Sequence, residues 1–239
     1  MNEHRTVAQD AAKGLMIIAM KKQVFVFLKG ILAGLSIGVG GFLYILMVFC
    51  VSGELGKVLG SLLFGVGLFT VCTFSLMLYT GKIGLVFEKK QEKDFYISLP
   101  VMYVGNAIGA FSLGTICYFI FRNTDLFLTI SQVCELRLSF VSFNDYLSTI
   151  VKSFLCGVCV YMAVKCFSLY RLKPVGILLL LFFVFLFVYA GFQHCIANMF
   201  YFGFGFIFQF ETFINLLLVT IFNSFGPIIG VLLFKLVHK

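Results

Sequence analysis

Apolar stretches of about 20 residues or more recur along the whole chain, and each is long enough to cross a bilayer. One such stretch could be the central helix of a soluble domain. A chain tiled with them leaves almost no residues for anything outside the membrane. Within lipid every backbone N–H and C=O must find its partner inside the protein, which at this segment length means helices. Six spans are expected, at 24–51, 57–87, 95–121, 147–168, 174–208 and 212–236. The fold class is therefore an all-α polytopic membrane protein. Composition agrees: 61% of residues are hydrophobic and 12% charged, where a soluble domain would carry about a quarter charged.

Residues 24–236 form the transmembrane channel domain in this reading, flanked by a cytoplasmic N-terminal segment, 1–23, and a cytoplasmic end, 237–239. The first segment is amphipathic, and the apolar run behind it is too long for the h-region of a removable signal. Residues 8–20 are expected as a short helix on the membrane surface, with Ala8, Ala11, Leu15 and Ile18 toward lipid.

The net charge of +8 does not indicate a nucleic-acid partner, because no basic stripe runs along one face. The basic residues gather at the ends of the apolar segments. With both termini in the cytoplasm, thirteen of the 18 Lys and Arg fall on inner segments and inner span ends, Arg5, Lys82, Lys165 and Arg171 among them. Only three, Lys57, Arg122 and Arg137, fall outside. That bias fixes the orientation. Lys29 and Lys152 lie within or at the edge of spans. The eight cysteines are scattered through apolar segments, and the Cys156–Cys159 pair lacks the second pair or flanking histidine of a metal site. No cofactor is expected.

Spans two and five are too long for one straight helix, and each is interrupted in mid-run, by FSLMLYTGK at 74–82 and by GFQHCIAN at 191–198. The interruptions belong to a wider internal similarity. Lys29 and Lys152 each open K-x-x-L-x-G, at an offset of 123, and Asn106 and Asn223 each open N-x-x-G, at an offset of 117. Adding 117 to Met77 lands on His194. Two halves of three spans follow, and an odd number of spans per half turns them into opposite orientations. Such inverted repeats carry broken helices that meet near the midplane and form the binding site.

Unwound backbone at that depth is tolerated where it is buried in protein or lines a wet cavity. The second half of a broken helix offers free N–H groups to an anion. His194 would supply a titratable donor and Thr80 a hydroxyl opposite it. Handing the anion a proton would let it cross neutral, avoiding a mid-membrane charge penalty of roughly 3 kcal/mol on insertion scales. The structural alternatives are a histidine that ties two helices together and a threonine that caps one.

GFQHCIANM resembles the G-F-E-H-S-x-A-N-M signature of the formate/nitrite transporter family, and the likeness extends over nearly the whole chain. LMLYTG at 76–81 is similar to that family's second-span loop, an acidic residue followed by L-F-T. YVGNAIGA at 103–110 resembles Y-x-G-N-x-x-G-A, FLCGVCVYMAV at 154–164 resembles L-C-N-x-x-V-C-L-A-V, and LLVTIFNSFG at 217–226 resembles L-P-V-T-x-G-N-x-x-G. The resemblance implies a homopentamer of aquaporin-like protomers, each with its own pore for a small monovalent weak-acid anion. It puts His194 on the central pore histidine, Thr80 on the facing threonine, and Phe64, Leu78 and Phe187 on apolar constrictions to either side. Asn198 keeps the family spacing from the histidine, and Asn106 and Asn223 fall on asparagines that would anchor the broken helices.

Departures from the pattern are specific. The glutamate before the histidine is Gln193, the acidic loop position is Met77, and the fourth-span asparagine is Gly157. The outer-vestibule lysine falls on Val141, leaving Arg137 as the nearest upstream cation, while Lys152 fits a basic position just inside span four. Glutamine in place of glutamate removes an anion that would favour charged imidazole. The expected function is a channel or transporter for formate or nitrite, then hydrosulfide, with lactate behind them, and with or without an accompanying proton. A bacterial inner (plasma) membrane is the expected location. The alternative is a neutral-solute pore for ammonia, water or glycerol. The paired N-P-A motifs of an aquaporin are absent, and an enzyme is not expected, since His4 and His238 lie at the chain ends and leave His194 without a histidine partner.

Overall fold

The computed structural model describes residues 2–88 and 91–237, with side chains over 18–88, 91–232, 235 and 236. Lys89, Lys90, His238 and Lys239, and the side chains of His4, Arg5, Ala8, Ala11, Lys13 and Leu15, lie outside the described residues. So does most of the segment 237–239.

The described residues are helical, and no strand occurs among them. Helix α1 runs Asn2–Cys50 without a break, so the surface helix expected at 8–20 is continuous with the first span. Helix α2, Glu54–Thr73, stops where Ser75 takes a left-handed conformation, and the chain resumes as α3, Tyr79–Lys82, running into a 3₁₀ turn, Ile83–Val86. Helix α4 is Lys93–Phe121 and α5 is Asp125–Leu138. Helix α6, Phe143–Leu169, opens on a reciprocal cap in which Asp145 Oδ2 accepts from the Ser142 N–H at 2.7 Å. Helix α7, Pro174–Tyr189, has proline at its first turn, where its missing N–H costs nothing. It gives way at Gly191, whose φ of +69° glycine adopts without strain. Helices α8, Cys195–Gly205, and α9, Phe210–Val237, complete the chain.

Among the described residues five helices are long and apolar enough to cross a membrane, and the shorter α7 and α8 are apolar as well. The expected interruptions are present, at 74–78 and 190–194. Helix α5 was not expected. Its buried Leu126, Ile130, Val133 and Cys134 recur at helical spacing within the connection between the third and fourth expected spans.

The two-half arrangement is visible in how the helices touch. Helix α1 crosses α4, and α6 crosses α9, each through a pair of glycines. A Cβ on Gly34 would sit 2.1 Å from the Asn106 carbonyl oxygen, and one on Gly109 would sit 2.1 Å from that of Ile31. In the other half, Gly157 meets the Asn223 carbonyl at 2.3 Å and Gly226 that of Phe154 at 2.3 Å. These four residues are the glycines of K-x-x-L-x-G and N-x-x-G. The motifs recur because each crossing needs backbone against backbone, the small-residue packing usual between membrane helices.

Candidate functional site

Two buried asparagines hold the breaks. Asn106 Oδ1 accepts the Tyr79 N–H at 2.9 Å, while its Nδ2 donates to Met77 O at 2.7 Å and Gly30 O at 2.8 Å. Asn223 repeats the set: Oδ1 accepts the Cys195 N–H at 2.9 Å, and Nδ2 donates to Gln193 O at 2.8 Å and Ser153 O at 2.7 Å. Each asparagine therefore caps the restarting helix, closes the loop before it and ties both to the opening span of its own half. The pairing corrects the sequence register. Met77 corresponds to Gln193 and Leu78 to His194, an offset of 116, because Asn106 lies 27 residues beyond its capped N–H and Asn223 lies 28 beyond.

The same capping removes the first free N–H at each restart. Ala197 N–H, in the first turn of α8, is taken by His194 Nδ1 at 3.3 Å. Fewer helix-end N–H groups are therefore open to an anion than an uncapped restart would offer. What projects between the breaks is a side-chain pair: Thr80 Oγ1 and His194 Nε2 lie 2.8 Å apart, both residues buried. With Nδ1 accepting from a backbone N–H, the assigned tautomer carries its hydrogen on Nε2, and the ring donates to Thr80 Oγ1. His194 thus caps α8 and contacts α3 at once, and the threonine does not serve as a cap.

Cavities lie to either side of this pair. One, of about 250 Å³, is lined by Arg137, Lys152, Phe64, Phe187, Gln193 and His194, with Tyr44, Asn198 and Tyr201 in its wall. Phe64 and Phe187 meet edge to face there, with ring centroids 5.7 Å apart, and Phe187 lies 6.1 Å from the His194 ring. The other cavity, of about 160 Å³, is lined by Leu78 and Gly81, the close neighbours of Thr80, together with Lys82, Cys72, Ser75 and Arg171. Cations thus line both cavities, and buried apolar side chains, Phe64 and Phe187 on one side and Leu78 on the other, lie next to the polar pair. Lys29 lines neither; it donates to Ser75 O at 3.3 Å and lies over the Phe25 ring.

Gln193 sits in a buried amide network. Its Oε1 accepts from Asn198 Nδ2 at 3.0 Å and from Asn215 Nδ2 at 2.9 Å, and its Nε2 donates to Thr149 Oγ1 at 3.3 Å. Asn198 Oδ1 accepts Arg137 Nε at 3.1 Å, and Asn215 Nδ2 also reaches the Arg137 carbonyl at 2.8 Å. Arg137 donates from Nη1 to Val133 O at 3.0 Å and lies 4.5 Å over the Tyr201 ring. Each amide orientation is dictated by its neighbour, starting from a guanidinium that can only donate. Asn215 and Thr149 were not singled out from sequence. Asn215 carried a signal, a polar side chain inside the apolar run FINLLLV, where polar groups are costly and kept for a purpose. No cluster of three His, Cys, Asp or Glu suited to a metal occurs among the described residues.

The profile of the formate/nitrite transporter family matches residues 5–237. A solved structure described as a pentameric formate channel with formate bound is similar at a TM-score of 0.76 and 24% identity, covering 92% of this chain and 99% of that one. An FNT family ion channel is similar at 0.77 and 18% identity, covering 98% of each chain. No curated protein matches by sequence.

Proposed function

The chain belongs to the formate/nitrite transporter family, and on that footing we propose that it passes a small monovalent weak-acid anion through a pore running between the two cavities. Formate or nitrite is the favoured cargo, with hydrosulfide next. The single observation that carries the reading is the 2.8 Å Thr80–His194 contact standing between two cation-lined cavities. A homopentamer with one pore per protomer, in a bacterial inner membrane with cytoplasmic termini, completes the proposal. The pentameric formate channel of similar fold and the one-sided distribution of Lys and Arg support it.

Arg137 and Lys152 gather the anion at the outer mouth, and Lys82 and Arg171 do so at the inner one. Phe64 and Phe187 on one side and Leu78 on the other remove most of its water. Between them His194 Nε2–H donates to Thr80, which leaves the threonine hydroxyl hydrogen for the anion. The geometry favours donating a hydrogen bond over donating a proton. A doubly protonated ring would have to give up the Ala197 N–H that Nδ1 now accepts, leaving a buried backbone donor unpaired at a cost of about 1–3 kcal/mol. A proton that crosses with the anion is then taken up from water in the vestibule.

The test is flux of formate, nitrite and hydrosulfide into proteoliposomes, from mildly acidic to mildly alkaline pH, for wild type and His194→Ala. Passage of one weak acid, with the variant silent or altered in its pH profile, supports the reading. If all three fail while ammonia, water or glycerol passes independently of membrane potential, the pore serves neutral solutes.

A further inference from the structure

We propose that the groove between α6 and α9, at the end of the molecule where Lys165 and Lys235 lie, is a binding site for one anionic phospholipid, with an acyl chain between the helices and the phosphodiester at those lysines. The groove encloses about 490 Å³ between Val158, Met162, Leu169, Gly226, Pro227 and Val231, within the range of about 300–1,000 Å³ that small-ligand sites occupy.

The repeat shows why the groove is there. In the first half the space between α1 and α4 is filled from α8. Phe200 lies against Gly38 and Gly41, where added Cβ atoms would come within 3.1 and 2.7 Å of its ring. Phe204 packs on Phe42 and Phe121, with centroids 6.4 and 6.1 Å away. By the offsets of 116 and 123, Phe200 corresponds to Gly84, Gly38 to Tyr161, Phe204 to Glu88 and Phe42 to Lys165. Large and small are exchanged at the first pair, since an added Cβ on Gly84 would meet the Tyr161 ring at 2.7 Å. At the second, an aromatic plug has become the Lys165–Glu88 ion pair, with the Tyr161 hydroxyl donating to Glu88 at 2.6 Å. Beyond it the described residues leave open space: a Cβ on Gly230 would meet none of their atoms within 4 Å.

Charge selects the occupant. The mouth carries the exposed Lys235 beside the Lys165–Glu88 ion pair, a net positive charge, and the walls below are apolar, the pattern of a phosphodiester above an acyl chain. The site rests on the membrane-spanning fold alone, so failure of the anion-pore reading would leave it untouched.

Thermal unfolding in detergent, with phosphatidylglycerol or phosphatidylcholine of the same chains added, tests the assignment on wild type, Gly230→Leu and Lys235→Gln. Wild type is expected to be stabilised by phosphatidylglycerol and much less by phosphatidylcholine. Gly230→Leu fills the groove and loses that increment. Lys235→Gln binds about fivefold more weakly, the loss expected for one basic residue at an anionic headgroup. Equal effects of the two lipids, or a full increment in Gly230→Leu, overturn the proposal. Glycerol 3-phosphate matching the whole lipid would assign the lysines to a free phosphate and also overturn it. So would a groove covered by a neighbouring protomer, read as no lipid effect in any variant.

Discussion

Asn106 and Asn223 make the same three hydrogen bonds in the two halves of the protein, each accepting the first N–H of a restarting helix and donating to two carbonyls. Alanine at either position leaves a buried N–H and two buried carbonyls short of a partner, and each such group costs about 1–3 kcal/mol. Asn106→Ala and Asn223→Ala are each expected to lose about 3 kcal/mol or more of stability. The two sets share no atom, so the double variant should be additive. Thermal or denaturant unfolding in detergent reads all three.

Thr80→Val keeps shape and removes Oγ1, stranding the His194 Nε2–H inside the pore. We expect roughly tenfold less anion flux, the factor that about 1.4 kcal/mol of lost hydrogen bonding supplies, with Thr80→Ser close to wild type. Liposome flux at equal protein incorporation decides it. A Thr80→Val channel as fast as wild type would remove the threonine from the pathway.

Much of this arrangement is legible in the sequence, for local reasons. A polar or glycine-rich interruption inside an apolar run marks a broken membrane helix, and both breaks fall where FSLMLYTGK and GFQHCIAN place them. K-x-x-L-x-G and N-x-x-G could be matched because backbone crossings admit only glycine. Register was not legible to the residue: adding 117 set Met77 against His194, and the single extra residue between Cys195 and Asn223 shows only once the caps are seen. The corrected pairing has a consequence. Gln193 and Met77 are the same position in the two halves, so both acidic positions of the family pattern are neutral here in a symmetric pair. Helix α5 and Asn215 escaped because their partners, α8 on one side and Gln193 with Arg137 on the other, are distant in sequence. The Lys165–Glu88 pair is a further case. Nothing local says that it stands where the other half has Phe42 and Phe204.

Gln193→Glu should fold, because Oε1 already accepts two amide N–H groups and the Thr149 hydroxyl can rotate to donate to the second oxygen. The new charge lies in the wall of the cavity of about 250 Å³. Near the anion's path it opposes entry by about 1–2 kcal/mol at an intermediate dielectric, a roughly five- to thirtyfold loss of flux. Opposite charge beside His194 also favours protonated imidazole, so flux should depend more steeply on pH. A Gln193→Glu channel with the wild-type pH profile would dissociate this residue from the histidine.

Arg137 gives the last test, because it combines charge with geometry. Its guanidinium donates to Asn198 and to the Val133 carbonyl while lying over Tyr201. Lysine is a point charge and cannot hold that fork. Arg137→Lys should therefore keep the attraction for anions while loosening the Asn198–Gln193 network, and Arg137→Ala should lose both. Attraction at the mouth is screened over about 10 Å at moderate ionic strength, so the deficit of Arg137→Ala relative to Arg137→Lys should shrink as inert salt is raised. The deficit of Arg137→Lys relative to wild type should not change, since it comes from hydrogen bonds and ring contact. Flux titrated against ionic strength in the three proteins separates the two roles, and parallel salt curves would reduce Arg137 to a structural residue of α5.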